Sequence, residues 1–367
     1  MPAEVLFTDF TASGGSESLG RRLPMMLTRF GFRDRLKEGA RVAVKVHPGE
    51  RNNITYIRPS LVRPVVEWVK RAGAEPFVTE STTLYCRERY TQEELIHTAA
   101  WNGFTAETLG CPFTVADSGP DVNVRVQGRY LEQVGIASEV AHADALIVLS
   151  HVTAHGWTAG LAASIKQLGM GCVGRSTKRE AHLSTTITIS EQFCNACAKC
   201  ARACKGEAIR LLEDHAVLTD RCVRCGVCIA HCPQGAIQYL HDFERFARAL
   251  AEAASGVLLR FSVGRAAFLN FLTDITWHCD CEDFSDNPVF PNLGVLASMD
   301  PVAVDQASAD MLNGAEPIRG GRADRPEIAS SEDRLLALTG IEWWRQLECA
   351  EELGLGRRRY NLRKIRP

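Results

Sequence analysis

Eight cysteines fall within 39 residues of the chain, at positions 194, 197, 200, 204, 222, 225, 228 and 232. Thiolates are soft ligands, and a CxxCxxCxxxC run lets one loop grip a cubane through three of them. The fourth, on the next helical turn, faces a second cluster. The first quartet recurs as the second at an offset of 28 residues, and Ala208-Ile209 recurs as Ala236-Ile237, the mark of an internal duplication. The expected ligand sets are Cys194, Cys197, Cys200 and Cys232 for one 4Fe-4S cluster, and Cys222, Cys225, Cys228 and Cys204 for the other. Zinc ribbons also use CxxC pairs, but two complete quartets with matching flanks favour iron and sulfide over zinc. The chemistry is one-electron transfer, at a potential tuned by charge, burial and hydrogen bonds to sulfur. Lys205 follows Cys204 where Pro233 follows Cys232. Its N–H and its ammonium both favour the reduced state, so the Cys222 cluster is expected to have the higher potential.

Other residues outside this segment have chemical promise. Lys45 and His47, in "VAVKVHPGE", are two apart at the end of a predicted strand and so share a face, where α/β sheets place ligands. They read as an anion-binding cation and a proton donor, or as a snorkelling lysine and a hydrogen-bonded histidine. "GMGCVG", residues 169–174, matches the letters of the dinucleotide fingerprint without its strand-and-helix context. It is either a turn whose amides, at Gly169 and Gly171, join Lys166 around a carboxylate or phosphate, or tight backbone packing. His151 and His155 have the i, i+4 spacing of a helical metal half-site, with a hydrogen-bonding role as the alternative. In "HCDC", Cys279 and Cys281 are candidates for an additional metal centre or a catalytic thiol, or else are structural. Cys172 is a distant further ligand for such a centre. Cys86, Cys111 and Cys349 read as small apolar residues.

The elements that must hold these groups alternate in the first half. "VLFTDF", "RVAVKV", "PFVTE" and "DALIVLS" read as strands; "SLGRRLPMMLTRFGF", "RPSLVRPVVEWVKRAG" and "QEELIHTAAWNGF" read as helices. The order predicts an α/β fold, a mostly parallel sheet with helices on both faces. After the cysteines, "FERFARALAEAA" predicts a helix, "GVLLRFSV" a strand and "PVAVDQASADMLNG" a helix ended by Gly314. The α/β pattern resumes there, so residues 185–241 read as an inserted bacterial-type ferredoxin module. Residues 1–184 and 242–367 are then two parts of one α/β domain. The last residues, "RRRYNLRKIRP", read as a solvated basic tail.

Composition narrows the class. The 367 residues are 23% charged and 46% hydrophobic with a formal net charge of -2, which asks for no nucleic-acid partner. The apolar run "ALIVL" falls far short of the roughly 20 residues of a membrane span. "MPAEVLFTDF" lacks the basic start and apolar core of a signal peptide. Fourteen cysteines in such a chain imply metal ligation in a reducing cytoplasm rather than a disulfide scaffold.

From about Arg41 to the final "LGLGRRRY" the sequence resembles the domain of unknown function 362 family, in its form carrying a two-cluster ferredoxin insert. The resemblance rests on Lys45, His47, Gly49, Glu50, Thr83, Leu84, Tyr85, His155, Lys166, Met170, Gly171, Cys279, Cys281, Asp300 and Asp305. The chain departs from the family pattern at Glu80-Ser81-Thr82, Thr153-Ala154, Ala162-Ala163, Gln167 and Lys205. The expectation that follows is a ferredoxin-dependent reductase. A small anionic or conjugated substrate lies near Lys45, His47, His155 and Lys166, with His47 or His155 giving the proton. The alternative is an electron relay or binding module serving a partner enzyme. A reduced ferredoxin or flavodoxin is the expected donor.

Overall fold

The computed structural model describes residues 2–365. The strands of its main sheet are β1 (Ala3–Thr8), β2 (Arg41–Lys45), β3 (Glu75–Glu80), β4 (Phe113–Val115), β5 (Ala145–His151), β6 (Ala266–Leu272), β7 (Gly294–Ser298) and β8 (Tyr360–Lys364). They form one sheet in the order β8-β1-β7-β6-β5-β2-β3-β4. Only β7 runs against its neighbours; every other pairing is parallel.

Both faces are covered, and the strand sequences show why. Val42, Val44, Ile147, Leu149, Leu269 and Phe271 enter one apolar core. The residues between them, Ala43, Leu146, Val148 and Phe268, enter the other, as the two-residue repeat of a strand requires. Helices α1 (Leu19–Arg29) and α2 (Pro59–Arg71) cover the first face with Leu23, Met26 and Leu27 against Val62, Val65 and Val69. Helix α3 (Gln92–Trp101) starts in a capping box, Thr91 and Glu94 each bonding the other's backbone N–H. Helices α4 (Phe243–Leu259) and α5 (Pro301–Gly314) pack on the second face.

Two expectations need correction. "GVLL" is the last turn of α4, not a strand, and the strand is the following "AAFLNFL". A short apolar run fits a buried helix as well as a strand. The basic tail is not free: Tyr360–Lys364 adds to the sheet edge parallel to β1, with Ala3 opposite Tyr360. Its last two residues, 366–367, lie outside the described residues.

Residues 185–241 enter and leave on paired strands. Thr185–Ile189 runs antiparallel to Ile237–His241, with Thr185 opposite His241. Between them lie a second hairpin, Ile209–Leu211 with Ala216–Leu218, and two short helices, Lys199–Ala203 and Val227–Ala230. The segment's own core is small: Ile187, Cys200, Ala216, Cys228 and Ile237. Among the described residues, no helix is long and apolar enough to cross a membrane.

Candidate functional site

The parallel strands β2, β3, β5 and β6 deliver their following loops to one edge of the sheet, and a cavity of about 220 Å³ opens there. His47 follows β2, Ser81 follows β3, His151 ends β5, and Cys279-Asp280-Cys281 follow β6; all of them line it. The cysteine-rich segment closes another side through Cys225, Val227 and Tyr239.

Buried ion pairs hold the floor. Lys45 is fully buried, its Nζ 2.9 Å from Glu80 Oε1 and donating to Val46 O and Gln167 Oε1. Arg89 donates from Nε to Glu50 Oε1 at 2.8 Å, and its Nη1 lies 3.7 Å from Glu80 Oε2. Tyr85 Oη also donates to Glu50 Oε1. Lys178 donates to Ser81 Oγ at 2.7 Å, and burial lowers its pKa to about 8. Asp280 Oδ1 and Glu50 Oε2 are buried with no hydrogen-bond partner among the described residues. Asp280 lines the cavity, so its free oxygen suits a ligand's donor.

Three of the four histidines that line the cavity, His47, His151 and His155, differ in protonation. Gly49 N–H donates to His47 Nδ1, and the Arg89 guanidinium stands 3.1 Å from Nε2. Burial, then Arg89, hold the His47 pKa well below its ordinary value, so the ring is neutral. His155 Nδ1 accepts from the N–H groups of Thr158 and Ala159, which puts its proton on Nε2. Burial, then Lys166, keep it neutral too. His151 is different: burial opposes its charge, but Asp280 Oδ2 at 2.8 Å from Nδ1 outweighs that and raises its pKa. The backbone oxygen of Thr273 accepts from its Nε2.

Lys166 stands over this set with no carboxylate at ion-pair distance among the described residues. Its one hydrogen bond there is to Cys279 Sγ, at 3.3 Å. Burial brings its pKa down to about 8 against the opposing pull of Asp280. Cys279 and Cys281 are joined by a disulfide.

In the cysteine-rich segment the backbone repeats at the sequence offset. Positive φ occurs at Ala196 and Arg224, at Ala198 and Gly226, and at Glu207 and Gly235, each pair 28 residues apart. Ala208 N–H and Ala236 N–H donate to Cys204 Sγ and Cys232 Sγ, each at 3.3 Å. Of the five non-glycine residues with positive φ among those described, four lie here, and each such residue costs roughly 1–2 kcal/mol. Such strain persists only where something else holds the loop. Cys194, Cys197, Cys200 and Cys232 line one small cavity. Burial, then nearby Cys225, Cys222 and Cys204, push the Cys228 thiol up to about 12.

Several sequence expectations change. Lys45 does not line the cavity; its charge is spent on Glu80, and it props the floor. His47 lines the cavity, and burial together with the Arg89 guanidinium beside its Nε2 holds the ring neutral. His151 and His155 sit on separate strands, not on one helix turn. At Gly169 a Cβ would lie 2.5 Å from Leu250 O, so this glycine admits α4. At Gly171 a Cβ would meet Lys45 Nζ at 2.4 Å, so that glycine gives the lysine room. His155 and Lys166 do meet, at the disulfide. Sequence reasoning missed Glu80, Arg89, Lys178 and Asp280 as site residues; the tight charge cluster "YCRERY" was the available signal for Arg89.

A family model described as Domain of unknown function (DUF362) matches residues 42–310. No curated protein matches the sequence. Among solved structures, the lactate racemase apoprotein from Thermoanaerobacterium thermosaccharolyticum is similar over 73% of this chain, at 12% identity and a TM-score of 0.35. The chain spans 50% of that structure's chain.

Proposed function

Because the chain belongs to the DUF362 family, defined without an activity, its own residues have to supply one, and we propose an iron-sulfur reductase acting on a small anionic or conjugated substrate. Residues 185–241 form a ferredoxin-like module inserted in the α/β domain. Cys194, Cys197, Cys200 and Cys232 hold one 4Fe-4S cluster; Cys222, Cys225, Cys228 and Cys204 hold the other. Support comes from the donor set, the gathering of Cys194, Cys197, Cys200 and Cys232 around one small cavity and the repeated left-handed backbone positions, which turn loops tightly around whatever the thiols grip. When bound, the clusters would supply electrons singly, with a reduced ferredoxin or flavodoxin as the outside donor.

The chain's own residues then have distinct tasks. Lys166 binds the substrate's negative charge, since its ammonium has no carboxylate partner among the described residues. The free oxygen of Asp280 accepts from a substrate hydroxyl or ammonium. His151 keeps a second proton to higher pH than an ordinary histidine and is the proton store of the cavity, taking the part first expected of His47 or His155. The observation that carries the reading is that Cys225, of the second quartet, lines the same cavity as Lys166 and His151. The test is single turnover: protein reduced with dithionite is mixed with small carboxylates or enones, and visible absorbance is followed. Reoxidation by a small molecule supports the reductase; reoxidation by protein partners alone would make the chain a relay.

A further inference from the structure

The Cys279–Cys281 disulfide lies on the cavity wall with a separate donor at each sulfur. Lys166 Nζ donates to Cys279 Sγ at 3.3 Å, and the Cys281 N–H points at the same sulfur, also at 3.3 Å. His155 Nε2 stands 3.9 Å from Cys281 Sγ. Because His155 Nδ1 accepts two backbone N–H groups, Nε2 carries the proton and presents it to that sulfur. A disulfide sulfur is a weak acceptor and needs no cation beside it. A thiolate needs both, so the surroundings suit the reduced pair.

We propose that Cys279 and Cys281 are a redox-active pair that exchanges two electrons with a dithiol entering the cavity. Cys279 is 5% exposed and Cys281 more open, so the incoming thiolate attacks Cys281. A new S–S bond forms to Cys281, the Cys279–Cys281 bond breaks, and Cys279 leaves as a thiolate beside the Lys166 ammonium. The second thiolate of the dithiol attacks its own sulfur in the mixed disulfide. That closes the reductant's disulfide and releases Cys281 as a thiolate facing His155 Nε2–H. Two electrons have passed to the pair, and the two protons of the dithiol go to solvent or to the new thiolates.

The same atoms lie within 4.8 Å of one another, as a metal site would require. Two features oppose that use. The Lys166 ammonium already occupies the Cys279 sulfur's outer side, and a metal-bound imidazole donates from its second nitrogen, whereas His155 Nδ1 faces two N–H donors. The inference stands apart from the cluster reading, since neither sulfur belongs to the two quartets.

Trypsin isolates the pair on the peptide spanning residues 266–319, which has no other cysteine. Anaerobically prepared full-length protein is alkylated before and after native treatment with dithiothreitol, and this peptide is weighed. The proposal expects no label before reduction and two after. It also expects reduction about tenfold slower in Lys166→Gln and largely preserved in Lys166→Arg, the size of one lost charge-assisted hydrogen bond to the leaving thiolate. His155→Gln is the second variant, slowing reduction without changing iron content. A peptide that stays unlabelled in folded, reduced protein would overturn the proposal. So would equal rates in both variants, or a divalent metal bound one per chain and lost in Cys281→Ser.

Discussion

Lys205 Nζ lies 3.2 Å from Glu94 Oε1, an ion pair joining the cysteine-rich segment to helix α3. The lysine also donates to Arg87 O, and Arg87 in turn to Cys281 O. The positive charge next to Cys204 is therefore partly offset, which weakens its expected lift on the second cluster's potential. Redox titration should show Lys205→Gln lowering that potential and Glu94→Gln raising it, because the two changes unbalance the pair in opposite senses. Identical titrations for wild type and both variants would remove Lys205 from any tuning role.

Anion binding should follow the titration of Lys166. Burial lowers its pKa to about 8; Asp280, Glu80 and Glu282 pull the other way, and Arg89 adds to the lowering. The charged form is full below that pH and lost above it. Affinity for malonate, whose own charge is constant there, should be flat up to about pH 8 and then fall about tenfold per unit. Lys166→Gln should weaken binding by about 1.5–3 kcal/mol and flatten the profile. Calorimetric titration from pH 7 to 10 checks both.

The buried network around Glu80 should be costly to break singly. Glu80→Gln leaves Lys45 and Arg89 short of a countercharge, a loss of about 3–5 kcal/mol in denaturant unfolding. Replacing Lys45 and Glu80 together by Met and Leu should cost less than the single change. A single-variant loss below 1 kcal/mol would mean that water reaches the network.

Iron removal should loosen residues 185–241 selectively. Their core has five buried residues and their loops hold four strained non-glycine positions, so on the proposed reading bound clusters supply much of the order. Chelated protein should be cut by trypsin around Lys199 and Arg202 while the sheet domain survives. Equal resistance with and without iron would show that the segment folds unaided.

The legible and illegible parts divide by sequence distance. The 28-residue repeat of the cysteine-rich segment was readable because its spacing is local, and β2, β3 and β5 because an apolar strand between helices has few other readings. The tail's pairing with β1 joins residues at opposite ends of the chain, and no local pattern announces it. Lys45 was misassigned for the same reason: its partners Glu80 and Gln167 are far along the chain, and they turn an apparent ligand cation into a buried support. His151 and His155 have identical chemistry in sequence; only Asp280 beside one and Lys166 near the other separates their charge.

Metal and sulfide content tests the central claim most directly. Anaerobically prepared protein should contain about eight iron and about eight acid-labile sulfide per chain. After reduction it should show the magnetic resonance signals of two interacting clusters, and Cys225→Ser should perturb one of them alone. Zinc in place of iron, or iron without sulfide, would contradict the account.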